Sequence, residues 1–169
     1  WENITQTDHF GNPYIFSVKE FEAEGENRAP VNYVMKEEGL TVTNTYVSPL
    51  REVDASKTWV DGPSQKPTIG FVLYRHLEGS AQNPQTDGVS GATIKMLPNG
   101  VLSTKWTHLE ETDKSGVPWI YYIREVRQDG AYVPQTTPNL VYGAPENYEV
   151  KEDGLTATNT HQIPNEGTE

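Results

Sequence analysis

The chain repeats itself. Trp1–Phe21 (WENITQTDHFGNPYIFSVKEF) aligns without a gap on Trp106–Val126 (WTHLEETDKSGVPWIYYIREV), at an offset of 105 residues. Tyr33–Tyr46 (YVMKEEGLTVTNTY) aligns on Tyr148–His161 (YEVKEDGLTATNTH), at an offset of 115. Self-similarity at such a period marks a tandem array and constrains the fold more than any local pattern does. The copies differ in extent, because the second has a long strand-rich segment ahead of its Trp and the first begins at its Trp. The repeat predicts a C-terminal half-module over 1–46, a linker over 47–52 and a complete module over 53–161. Residues 162–169 fall where a further linker would begin.

The local patterns predict strands. Lys66–Arg75 (KPTIGFVLYR), Pro13–Phe21 and Leu40–Tyr46 are short, rich in β-branched and aromatic residues, and bounded by Gly, Pro or Asp. Turn signals recur at Asp61-Gly62-Pro63, Asp87-Gly88, Asn99-Gly100, Asp129-Gly130 and Asp153-Gly154. Leu77–Ala92 reads as a long loop, and no stretch has sustained helical periodicity. Many short strands with frequent turns imply an all-β sandwich.

Charge and cysteine content remove several functions. A net charge of −11 disfavours a nucleic-acid backbone or an anionic bilayer as partner. No apolar run in this fragment is long enough to insert in a membrane. The chain has no cysteine, which excludes disulfides, thiol nucleophiles and thiolate metal sites. Any covalent staple must therefore use other side chains. The four His have no metal-ligand spacing, and the acidic pairs Glu37-Glu38 and Glu152-Asp153 lead into Gly turns and do not match a calcium loop. No metal or cofactor is implied.

The strand faces carry the chemistry. Alternate residues of a strand share a face. Trp119, Tyr121, Ile123 and Glu125 therefore lie together, opposite Ile120, Tyr122, Arg124 and Val126. Leu155, Ala157, Asn159 and His161 form a second such face, and Val53, Ala55, Lys57 and Trp59 a third. Lys57, Glu125 and Asn159 each sit in line with apolar neighbours, so all three point inward. The first copy repeats two of them, with Glu20 in line with Tyr14, Phe16 and Val18, and Asn44 in line with Leu40 and Val42.

Burial disfavours charge, so it lowers the pKa of a Lys and raises that of a Glu. A neutral amine is a nucleophile, and a protonated carboxyl can polarise an amide carbonyl. Beside an Asn, that pair can perform acyl transfer: the amine attacks the amide carbon, ammonia leaves and a Lys–Asn isopeptide bond remains. Each residue also has a plainer reading. Lys57 can snorkel to solvent past Trp59, Glu125 can pair with Arg124 or Arg127 at a sheet edge, and Asn159 can be a turn or edge residue.

Taken together, KTWVDG at Lys57–Gly62, KPTIGFVLYR, WIYYIREV with Glu125 and the closing EDGLTATNT with Asn159 resemble the Cna B-type (CnaB) domain. This is the repeat unit of Gram-positive surface adhesins and pilins. The resemblance covers Val53–Thr160 fully and Trp1–Tyr46 as a C-terminal half. It implies an inverse immunoglobulin-like (prealbumin-like) β-sandwich in tandem modules. It also implies an intramolecular isopeptide bond from Lys57 to Asn159, with Glu125 as proton shuttle. Glu20 and Asn44 match the acid and the acceptor, but the first copy shows no matching Lys, which would lie about 49 residues before Trp1.

The implied protein is a stalk or spacer of a cell-wall-anchored surface protein, extracellular, self-crosslinked and without enzymatic turnover. Its partners would be neighbouring modules of the same parent. An alternative is an adhesive module binding a host protein or glycan through the insertion at 127–146, where Gln128–Tyr142 carries Tyr132, Pro134, Pro138 and Tyr142. For residues 1–46 three readings stand: a trimmed parent, a separate front half already joined to Asn44, or completion by a second copy. The first two are favoured.

Overall fold

The computed structural model describes residues 1–128 and 140–164. Every regular element among them is a strand: β1 (Tyr33–Glu38), β2 (Thr41–Tyr46), β3 (Leu50–Val60), β4 (Ile69–Leu77), β5 (Lys95–Leu97), β6 (Ser103–Glu110), β7 (Trp119–Gln128), β8 (Leu140–Tyr142), β9 (Tyr148–Asp153) and β10 (Thr156–His161). The chain divides into two compact units, Trp1–Pro49 and Leu50–Glu169. Residues 50–52, assigned to a linker from sequence, are the first residues of β3. Leu50 and Arg51 pair with β6, and a register shift between Arg51 and Val53 passes over Glu52.

The second unit is the all-β sandwich expected from sequence. One sheet has the order β6-β3-β10-β9 and the other β5-β4-β7-β8. Period-two burial builds the space between them. Along β3, Val53, Ala55 and Lys57 are buried while Asp54, Ser56 and Thr58 face solvent. With Ile69, Phe71, Leu73, Leu97, Trp106, Tyr121, Ile123 and Ala157, Val53 and Ala55 form a single core. On the opposite face of β4, Gly70 lets the chain pack closely, since a Cβ would lie 2.9 Å from both Met96 Sδ and Val126 Cγ2. The turn after β3 uses Asp61 and Gly62, both at positive φ.

The first and last strands of this sandwich, β3 and β10, are parallel neighbours, with Lys57 opposite Ala157 and Trp59 opposite Asn159. Strand β7 is central in the other sheet and pairs with β4 and β8. Its outer face is covered as well. Tyr122 and Val126 are buried, and the Tyr122 hydroxyl donates to Asp87 at 2.7 Å. Asp87 belongs to the 77–92 loop, which also bonds β4 through Arg75 N to Asp87 O and Val89 N to Leu73 O. The loop is thus part of the sandwich and lids one sheet.

The first unit is built around the β1–β2 hairpin. Its sequence-expected strand at Pro13–Phe21 does not form a strand. The equivalent β7 is held by ladders to β4 and β8, and no equivalent neighbours flank Pro13–Phe21 among the described residues. A strand is a pairing as much as a propensity. What remains is an isolated Thr7–Pro13 bridge and the single bonds Tyr14 N to Gln6 O and Val18 N to Gly39 O.

Candidate functional site

Three buried polar residues meet inside the second unit. Lys57 on β3 is 3% exposed, and Glu125 on β7 and Asn159 on β10 are fully enclosed. Lys57 Nζ donates to Glu125 Oε2 at 2.7 Å, and Asn159 Nδ2 donates to Glu125 Oε1 at 2.6 Å. Glu125 therefore bridges the sheets, taking an amine on one oxygen and an amide on the other. The sheet pairing places the two donors. Lys57 and Asn159 sit on adjacent parallel strands, two residues apart in register, and both turn inward.

The surroundings keep this triad dry. Lys57 Nζ lies 4.5 Å from the centroid of the Trp59 ring, which itself packs edge-on against Tyr148 at 4.9 Å. Burial pushes the Lys57 amine below its ordinary pKa, against the opposing pull of the Glu125 hydrogen bond and charge. Burial likewise pushes the Glu125 carboxyl up, against its hydrogen bonds from Lys57 and Asn159. Both shifts favour one proton arrangement, a neutral amine beside a neutral acid. The carbonyl oxygen of Asn159 is buried without a hydrogen-bond partner among the described residues, a state that ordinarily costs about 1–3 kcal/mol.

Sequence reasoning missed a fourth residue. Glu152 on β9 accepts the backbone N–H of Glu125 at 2.6 Å, and its negative charge adds to the upward push on the Glu125 carboxyl. Its signal was present in the repeat, since Glu37 stands at the same place in the first copy. Glu37 Oε1 accepts the backbone N–H of Glu20 at 2.8 Å.

The first unit holds the other two sequence-singled residues together. Asn44 Nδ2 donates to both oxygens of Glu20, at 2.9 Å each. Here Asn44 is exposed and Glu20 half-buried, whereas their counterparts are enclosed.

No family model matches the chain. The collagen adhesin of Staphylococcus aureus is 35% identical to it over 116 residues, which are 69% of this chain and 9% of that protein. The chain carries a Cna B-type domain. It thus spans about a tenth of the length of the curated relative it matches. A crystal structure of a single B repeat unit (B1) of the collagen-binding surface protein of S. aureus superposes with a TM-score of 0.43 and 20% identity, covering 85% of this chain and 71% of that one.

Among the described residues of this Cna B-type chain, no group of three or more His, Cys, Asp or Glu is placed to hold a metal. The 127–146 segment singled out for adhesion falls largely on 129–139, outside the described residues. Its flank Leu140–Tyr142 is β8, an edge strand paired with β7.

Proposed function

We propose that the second unit is a structural stalk repeat of an extracellular bacterial surface protein, locked by an isopeptide bond from Lys57 to Asn159. The observation that carries this reading is the buried carboxylate of Glu125 holding the amine and the amide on its two oxygens. Relationship to a collagen adhesin supports the surface setting.

The chemistry follows from the triad. Burial draws the Lys57 proton onto Glu125, which leaves a neutral Nζ. With the amide turned over, the protonated Glu125 donates to the partnerless carbonyl oxygen of Asn159 and polarises Cγ. Nζ then attacks Cγ. The Nζ–Cγ bond forms, the Cγ–Nδ2 bond breaks, and the proton shed by Nζ passes through Glu125 to Nδ2, which departs as ammonia. Fixing the reactants in a folded core supplies about 7–11 kcal/mol of the barrier. The reaction runs once per molecule, with no turnover.

The strand order supports a mechanical role. Tension at Leu50 and His161 loads the parallel pair β3 and β10 in shear. A bond between Lys57 and Asn159 carries that force directly between the first and last strands and leaves the intervening chain unloaded.

Intact mass tests the reading. The chain should weigh one ammonia less than its sequence, and Lys57→Ala or Glu125→Gln should restore the full mass. A natural chain of full sequence mass would end the proposal.

A further inference from the structure

The outer face of the β5-β4-β7-β8 sheet carries a tyrosine pair that a stalk role does not use. Tyr74 on β4 and Tyr142 on β8 belong to strands that are not neighbours, because β7 lies between them. Tyr74 stands opposite Tyr122, and Tyr142 opposite Val126. Arg124 separates those two positions on β7. The tyrosine side chains lean toward each other over it, and their hydroxyls meet in a direct hydrogen bond. The ring centroids are 6.4 Å apart, with 67° between the ring planes. The Arg124 guanidinium lies 4.2 Å from the centroid of Tyr142 and 5.9 Å from that of Tyr74, a cation held against both rings.

Two hydroxyls in contact bring together the ring carbons that flank them. Those ortho carbons carry the unpaired spin of a phenoxyl radical, and they are where two phenoxyls couple into a biaryl. A biaryl is itself twisted about its central bond, so the angle between these rings need not be undone. Access is graded as well. Tyr142 is 47% exposed and Tyr74 4%, so an oxidant in solution reaches the first, and the second is oxidised through it. Tyr122 also packs on Tyr74, at 5.3 Å between centroids, but its hydroxyl is turned to Asp87 at 2.7 Å. Tyr142 is therefore the partner that the geometry selects. With no thiol in the chain, tyrosine is a side chain that oxidation can turn into a crosslink.

We infer that Tyr74 and Tyr142 form an oxidative crosslinking site, at which hydrogen peroxide acting through a haem peroxidase joins β4 to β8 by a carbon–carbon bond. Each phenol gives up one electron and one proton. The two radicals couple at one ortho carbon of each ring, and the hydrogen displaced there returns to each oxygen as the rings regain aromaticity. In sum, two aromatic C–H bonds and the peroxide O–O bond break, the biaryl C–C bond forms, and two waters leave. Because the hydroxyls already touch, coupling within the chain outruns coupling between chains. The product staples β8, an edge strand of 3 residues, to the sheet it borders. Both tyrosines lie on the face of the sheet opposite Glu125, so the site acts independently of Lys57 and Asn159.

The test treats the full chain, dilute, with hydrogen peroxide and a haem peroxidase. The monomer should lose the mass of two hydrogens, a change distinct from the loss of one ammonia. Biaryl fluorescence should appear in the monomer, and peptide mapping should join Tyr74 to Tyr142. Tyr142→Phe and Tyr74→Phe keep the rings and remove one hydroxyl each, and either should abolish that emission while near-ultraviolet circular dichroism shows the fold retained. Mapping on the natural chain decides the matter even where a variant fails to fold. A monomer of unchanged mass overturns the inference, as does one whose oxidation maps only to Met96 or tryptophan. A crosslink that maps to Tyr122, survives in Tyr142→Phe, or joins two chains at every dilution overturns it too.

Discussion

Glu20–Asn44 and Glu125–Asn159 are the same hydrogen-bonded pair in two environments. Sequence repetition reproduces the hairpin register, the positive-φ turns at Gly39 and Gly154, the backbone bond to each and the carboxylate cap on each acid. It does not reproduce burial. Asn44 is exposed and Asn159 has no exposure. Local structure is therefore set by residues near in sequence. The dry, pKa-shifted site is set by β3 and β4, which only the second unit possesses. Enclosure and the shifted proton affinities are properties of the completed core, beyond anything the acid and amide carry themselves.

The largest expected effect separates the two amides. Asn159→Ala removes the acceptor of the proposed crosslink, which would close a loop of roughly 100 residues with a chain-entropy contribution of about 4–5 kcal/mol by the loop-length estimate used for disulfides. Asn44→Ala removes an exposed hydrogen bond and should change stability by no more than about 0.5 kcal/mol. Denaturant unfolding followed separately for each unit, with intact mass recorded for each variant, measures both. Equal effects would break the comparison, because the enclosed pair would then be no more consequential than the open one.

A smaller contrast concerns the carboxylates that cap the acids. Glu152→Ala leaves the backbone N–H of a fully buried Glu125 without its partner, at a cost of about 1–3 kcal/mol. Glu37→Ala removes the same bond where water replaces it, so its effect should be undetectable by the same unfolding measurement. In the first unit the consequence is instead electrostatic: the Glu20 N–H, followed by the Asn27 side chain, holds the Glu37 carboxyl below the usual carboxylate range. A Glu152→Ala chain as stable as the parent would show that this bond is incidental.

These contrasts mark what could be read from sequence. The inward faces of β3, β7 and β10 were legible because a period of two leaves no choice once the apolar residues are placed, and Lys57, Glu125 and Asn159 follow from it. Pro13–Phe21 was misread as a strand because its residues match those of β7 while its ladder partners do not accompany it. The burial of Tyr122 was not legible either. Its face of β7 (Ile120, Tyr122, Arg124 and Val126) lies opposite the core, and the folding of Asp87 and the 77–92 loop across the sheet encloses it. Glu152 was passed over because an acid before a Gly turn has a sufficient local explanation, although its recurrence at Glu37 carried the signal.

The smallest effect belongs to that covered outer face, which the first unit lacks, since Ser17 stands where Tyr122 does. Burial and the Tyr142 hydroxyl push the Tyr74 phenol up to about 12, and burial with Asp87 pushes that of Tyr122 higher still. A phenol whose folded pKa lies above its unfolded value, about 10, binds its proton more tightly when folded. Its contribution to stability is thus complete below pH of about 10 and is lost as pH rises through the folded value. Stability of the second unit should stay level up to that point and then decline, and Tyr74→Phe should make the decline shallower. Ultraviolet titration should show Tyr74 ionising late and Tyr122 later still. If Tyr74→Phe leaves the alkaline decline unchanged, the cover over β7 does not hold these phenols, and the difference between the two units reduces to the core alone.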